Sequence, residues 1–382
     1  MARRPAGECG SHPREGSAMR ILAIDMGTGT QDILLFDSSG PVENCVKMVM
    51  PSATEIAARR IRRATAEKRP VLLTGVTMGG GPCHWALEAH IKAGGSAFAT
   101  QEAARTFDDD LAVVAGMGVA VVSEDEATKL RGVERIEMRD LDLNAIRRAL
   151  AAFEVPSDFD GLAVGCLDHG AAPPGFSDRL FRFNHLKEVV EERNDLTAFA
   201  FLPDELPEYL TRARSMIASI DIEVPTVFLD TGPAAALGAL QDPRVAERDE
   251  QVVVNLGNMH ALGFFLSGCH IHALFEHHTG LLDGAQIEAM TERLVDGTLT
   301  HEEVFAGHGH GVYYADARHG RDPFVAVTGP QRGKLRGSRL QPYFAAPHGD
   351  MMISGCFGLV QAFGVRYPAA HEQIATALGS AV

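Results

Sequence analysis

Arg20-Ile21-Leu22-Ala23-Ile24-Asp25-Met26-Gly27-Thr28-Gly29-Thr30-Gln31-Asp32-Ile33-Leu34-Leu35-Phe36-Asp37 is two apolar runs joined by a short Gly/Thr turn. The pattern predicts two antiparallel strands and a tight loop. Gly27 and Gly29 free the backbone to present successive N–H groups to an anion, and Thr28 and Thr30 add hydroxyl donors. Asp25, where the first strand runs out, is placed to hold Mg²⁺ through water while the loop holds phosphate oxygens. An ordinary hairpin with a Gly/Thr turn is the competing reading of this segment taken alone.

The rest of the chain narrows the choice. Its 382 residues leave room for two domains, each with its own core. Apolar residues make up 46% and charged residues 22%, as in a soluble globular protein, and no apolar run approaches the length of a membrane span. A net charge of −15 disfavours a general nucleic-acid or anionic-membrane surface. Six cysteines are scattered without a C-x-x-C pair, which suggests neither a disulfide framework nor a zinc ribbon and fits a reduced, cytoplasmic protein. Residues 1–18 read as a disordered tail, with Met19 as an alternative start.

Further along, Ser52 is placed to cap an Ala/Arg-rich helix. Gly79-Gly80-Gly81 then runs from a strand end into a helix that begins with Pro82, so bare N–H groups there are expected to receive a carboxylate or phosphate of a substrate. Gly161 to Cys166 is a buried strand whose C-terminal end leads to Asp168 and His169, candidates for substrate binding or acid/base work. The excursion from Ala171 to Phe183 is expected either to cover the site or to contact a partner, and its Arg179 and Arg182 to grip an acidic substrate. Another strand ends in Asp230, followed by the small residues Gly232 to Gly238, which suit a close helix crossing.

Beyond the charged stretch Asp242 to Glu250 the opening theme returns. Gln251 to Leu256, a turn at Gly257-Asn258, and His260 to Leu266 again read as strand, turn, strand. Nine of the sixteen histidines lie between His260 and His319. Glu276 and, among these histidines, His277, His278, His308 and His310 are predicted to contact substrate, with Fe or Zn as the alternative of a histidine-bound metal. No H-E-x-x-H spacing supports a metalloprotease-type site. Gly329, after the strand from Phe324, and Arg332 complete the candidate set, and Ser354 to Val360 again places small residues at a predicted crossing.

Taken in order, these segments resemble the actin, sugar-kinase and heat-shock-chaperone ATPase superfamily. The resemblance spans residues 20–363. Asp-x-Gly-Thr-x-Thr matches its first phosphate motif, Gly257-Asn258 its second, and Gly329 its adenosine motif. It implies an α/β fold of two related, ribonuclease H-like domains around a nucleotide cleft, at residues 19–245 and 246–382. It also implies ATP and Mg²⁺, with Asp25, Gly27, Thr28, Gly29, Thr30, Gln31, Gly257, Asn258, Gly329 and Arg332 binding the nucleotide. Asp230 stands where the sugar-kinase branches keep their general base, with Asp168 as the other choice. Two departures matter: Asn255 replaces the usual aspartate of the second motif, and Pro330 the usual second glycine of the adenosine motif.

Closer still, Thr-Met-Gly-Gly-Gly-Pro, Asp-His-Gly, Glu-His-His-Thr-Gly and Gly-His-Gly resemble a family labelled as a pyruvate formate-lyase activating enzyme. A radical activase of that kind needs clustered cysteines for an iron–sulfur centre, and the sequence has none. The reading that follows is an ATP-dependent small-molecule phosphotransferase. A nucleotide-driven conformational protein that reactivates a partner enzyme, and a metal-assisted carbamoyl or acyl transferase, are the alternatives.

Overall fold

The computed structural model describes residues 18–320 and 322–379, so the tail expected at the N-terminus lies, but for Ala18, outside the described residues. The quoted stretch forms β1 (Arg20–Met26) and β2 (Thr30–Asp37), paired antiparallel from Arg20↔Asp37 to Met26↔Gln31. β3 (Val46–Pro51) adds to β2, and the Ser52 hydroxyl then accepts from the Glu55 N–H to start the helix Ala53–Ala66.

Here the chain leaves the first sheet. β4 (Val71–Gly75), β5 (Ala97–Thr100), β6 (Val119–Val122) and β7 (Glu134–Met138) form a separate, wholly parallel sheet in the order β6-β5-β4-β7. The sequence foretold short strands and helices here but not a separate layer. Alternating strand and helix reads alike whether the strands extend an existing sheet or begin a new one.

The first sheet is completed by β8 (Gly161–Cys166), β9 (Ala200–Phe201) and β10 (Thr226–Asp230), giving β3-β2-β1-β8-β10-β9 with β1, β8 and β10 parallel. The second half repeats the plan with β11 (Gln251–Leu256), β12 (His260–Ser267), β13 (His270–His278), β14 (Gly311–Tyr314), β15 (Phe324–Thr328) and β16 (Tyr343–Phe344), ordered β14-β13-β12-β11-β15-β16. Antiparallel β11, β12 and β13 followed by parallel β15 and β16 reproduce the directions of β1, β2, β3, β8 and β10. The same five-strand unit thus occurs twice.

The helices Thr231–Ala239 and Ser354–Arg366 cross between the two sheets and share one core with them, including Phe264, Phe357 and Phe363. The crossing is as close as the small residues foretold. A Cβ on Gly238 would stand 1.7 Å from the Ser354 carbonyl oxygen, and one on Gly358 2.0 Å from that of Ala234. Any larger side chain at either position would drive one backbone into another.

Candidate functional site

The turns of the two repeated hairpins meet. In the first, the Gly27 N–H donates to the Thr30 carbonyl at 2.9 Å, and in the second the Gly257 N–H donates to the His260 carbonyl at the same distance. A Cβ on Gly29 would lie 2.4 Å from Asn258 Nδ2, so the tips are in contact. Behind them is a crevice of about 80 Å³ lined by residues of both turns, including Asp25, Thr28, Asn255, Asn258 and Gly329. The helices Thr231–Ala239 and Ser354–Arg366 both begin at this crevice, through Thr231, Ser354 and Gly355. Two helix N-termini aimed at one small space make it favourable for an anion.

Asp25 and Asp32 are cross-strand partners, and both line the crevice. Asp25 Oδ1 accepts from the Thr231 hydroxyl at 2.7 Å, yet burial pushes its pKa up to about 7. Burial, and then the neighbouring Asp25 charge, push Asp32 up to about 8, and its Oδ1 has no hydrogen-bond partner among the described residues. Sequence reading assigned Asp32 no role, although counting residues back from the turn would have set it opposite Asp25. Asn255 is the counterpart of Asp25, two residues before the second turn.

Two expected nucleotide contacts lie elsewhere. Side chains alternate along a strand, so Gln31 faces away from Thr30 and Asp32 and donates to the Pro51 carbonyl at 2.9 Å. Arg332 folds back onto the Gly329 carbonyl at 3.2 Å and does not line the crevice.

A second cavity, of about 860 Å³, opens on the other side of the first turn. Gly79, Gly80 and Gly81 line it, as do Asp168, His169 and His278, and the loop from Ala172 to Phe176 forms part of its wall as the sequence suggested. The Gly79 N–H, expected to be bare, points at the Asp140 carboxylate, which also pairs with Arg212 at 2.8 Å. Thr28 lines both this cavity and the crevice.

Asp230 is otherwise engaged than as a free base. Arg182 grips both of its oxygens, at 2.5 and 3.0 Å, and Asp230 Oδ1 also accepts from the Gly232 N–H. Arg182 reaches Glu276 on β13 at 3.2 Å, so one wholly buried guanidinium joins the two halves of the molecule. Burial opposes its charge, but Asp230 and Glu276 outweigh that and hold its pKa above the usual arginine range. Glu276, expected to contact substrate, is therefore an internal counter-ion, and Arg182 does not reach the cavity. Arg179 likewise turns inward, donating to the Phe305 carbonyl at 3.2 Å. Asp168 accepts from the Gly170 N–H at 2.8 Å and the Ala213 N–H at 2.9 Å, one bond to each oxygen. Burial raises its pKa against the pull of those two N–H groups.

The histidines divide. His169, His260 and His278 line the cavity and His310, expected to contact substrate, is buried against them and does not line it, with ring centroids 5.2 Å apart for His169 and His260 and 4.8 Å for His278 and His310. Burial keeps these imidazoles neutral: His169 is pushed down to about 3, and His260, His278 and His310 also fall below the ordinary value. His277 turns to the other face of β13, and His308 is exposed, so neither lines the cavity. The role of His260 was not foreseen, because only the pairing of β12 with β13 sets it opposite His278.

The duplicated strand order with helices crossing between the two sheets is the repeated α/β plan that the sequence resemblance implied. Residues 78–334, more than half of the chain, match the family described as "Putative pyruvate format-lyase activating enzyme (DUF1786)", and the protein belongs to that family. No curated protein matches the chain in sequence. Among solved structures it is similar to the ethanolamine utilization protein EutJ from Carboxydothermus hydrogenoformans, at 11% identity and a TM-score of 0.32, over 92% of this chain and 91% of that one. It is similar to the ROK hexokinase from Thermus thermophilus at 12% identity and a TM-score of 0.32, over 92% and 99% of the two chains. For gluconate kinase from Lactobacillus acidophilus the values are 10%, 0.29, and 94% and 92%.

Proposed function

We propose that the protein is an ATP-dependent phosphotransferase acting on a small molecule. The observation that carries this reading is the position of Thr28, which lines both the crevice between the hairpin turns and the large cavity beside it. A terminal phosphate held by the Gly27–Thr30 turn would lie at the partition, with nucleotide on one side and acceptor on the other. The crevice is smaller than the roughly 300–1,000 Å³ of ordinary ligand pockets, so nucleotide enters as the turns part at Gly29 and Asn258.

Asp25 and Asp32 suit a Mg²⁺ ion: two opposed carboxylates, one with an unpartnered buried oxygen, offer hard oxygen ligands. When bound, that ion neutralises charge on the phosphates. The two helix N-termini and the turn N–H groups orient the phosphates and draw their negative charge inward. With both oxygens of Asp230 and of Asp168 already accepting hydrogen bonds, the proton of the acceptor hydroxyl passes to His278, a neutral imidazole on the cavity wall. The activase chemistry in the family's description finds no support in the donors, since the described cysteines are free and none falls within a group of three candidate ligands.

Calorimetry with ATP and Mg²⁺, followed by a metabolite panel read for ATP consumption, tests the proposal. Saturable binding and one stimulating compound are expected. His278→Ala should lower turnover by about 10²–10⁴-fold with ATP affinity unchanged. Failure of ATP to bind would sink the reading. Asn255 favours one other account, a slow nucleotide switch acting on a partner protein, because an amide lacks the charge to activate an attacking water. ATP binding that no metabolite stimulates would shift the conclusion to it. No helix among the described residues is long and apolar enough to cross a membrane.

A further inference from the structure

We infer that His169, His260 and His310 form a site for one divalent first-row transition metal, with an open position facing the large cavity. The three residues come from distant parts of the chain: the loop after β8, the first residue of β12 and the residue before β14. Their ligand atoms all lie within 4.8 Å of one another. His169 Nε2 and His260 Nε2 are 3.2 Å apart, close to the roughly 3.3 Å edge of a tetrahedron with metal–nitrogen bonds of about 2.0–2.1 Å.

His310 supplies the independent observation. It is fully buried, and neither ring nitrogen has a hydrogen-bond partner among the described residues. A buried imidazole left unpaired on both nitrogens is costly, and the native arrangement makes sense if one of them has a ligand. Its backbone N–H is tied to the Glu276 carbonyl at 2.9 Å, which fixes the residue at the end of β13. His260 is held in the same way, since its carbonyl closes the second turn.

Three neutral imidazoles leave the ion its full charge, and their chemistry suits zinc or iron rather than calcium or magnesium. Three protein ligands with a fourth position open is the pattern of a catalytic rather than a structural site. His169 and His260 both line the cavity, so that position is available to a substrate oxygen, with His278 alongside. The inference does not depend on nucleotide chemistry: a metal can be present whether or not ATP binds.

The test uses the full chain without an affinity tag. Elemental analysis should find about one Zn or Fe per chain in the wild type, and under about a tenth in His169→Ala and in His260→Ala. His270→Ala is the control. It alters the second histidine group, where Asp316 Oδ2 already engages His270 at 3.1 Å and His272 at 2.8 Å, and metal content should stay at the wild-type level. Chelation should lower the melting temperature of the wild type and leave that of folded His169→Ala unchanged, which separates metal loss from misfolding. Metal-free wild type that takes up no Co²⁺ would overturn the inference, as would full metal content in both cavity variants.

Discussion

Asp25 and Asp32 face each other across the first hairpin, in register, at the mouth of a crevice where two helices begin. Burial, and for Asp32 then the Asp25 charge, lift the two carboxyls to about 7 and about 8, so the pair resists carrying two charges at once. On the proposed reading, a Mg²⁺ ion between them would let both carboxylates ionise. Asp32→Asn is therefore expected to match or exceed the wild type in melting temperature without Mg²⁺, and to lose most of the upward shift that Mg²⁺ gives the wild type. Differential scanning with and without the ion checks this. A variant whose Mg²⁺ response equals the wild type's would place the ion elsewhere.

Two glycines should respond very differently to the same small change. A methyl group at Gly238 meets the Ser354 backbone, which cannot move without separating the crossed helices. Gly238→Ala should cost about 3 kcal/mol, read as a lower urea midpoint. At Gly29 the methyl group meets the tip of the Asn258 side chain. Gly29→Ala should leave stability within about 0.5 kcal/mol while weakening nucleotide binding, with Asn258→Ser restoring it. Equal losses of stability at the two positions would contradict the argument.

Much of this was legible in the sequence because it is local. Strand, glycine turn and strand lie within eighteen residues at Arg20 to Asp37, and the same pattern from Gln251 announced the repeat. Small residues from Gly232 and from Ser354 announced the crossing. What escaped was non-local. His169 and His260 are 91 positions apart and meet only through the packing of two sheets. That Asp230 and Glu276 would share one arginine follows from the path of the helix Asp178–Glu192, which no spacing encodes. Gln31 was misplaced for a simpler reason: strand alternation, applied from Asp25 and its partner, turns it away from the crevice.

Arg182 joins Asp230 and Glu276 with no exposure at its side chain. Removing one member of such a group strands the charge of the others, typically at about 3–5 kcal/mol. Arg182→Met should lower stability by that order. Neutralising the partners as well, in Arg182→Met/Asp230→Asn/Glu276→Gln, should recover a large part of it. Chemical denaturation of both variants decides the matter. If the triple variant is no more stable than the single one, the loss comes from packing of the arginine stem and not from stranded charge.

His185 gives the molecule a defined acid sensitivity. It is 4% exposed and its Nδ1 lies 3.1 Å from the Tyr209 hydroxyl. Burial, then the Arg182 charge, push its pKa down to about 4, with Asp230 opposing more weakly. A histidine whose folded pKa lies below its unfolded value of about 6.5 takes up its proton more readily when unfolded. Its contribution to stability is therefore complete above pH 6.5 and is lost as the pH falls from there towards 4, by a total on the order of 3 kcal/mol. His185→Gln cannot titrate, yet its amide can still meet Tyr209. Urea midpoints at pH 7, 6 and 5 should fall less steeply for His185→Gln than for the wild type, although the buried cavity histidines keep part of the slope in both. Parallel curves would mean that His185 titrates alike in the folded and the unfolded chain, and that Arg182 and burial do not depress its pKa.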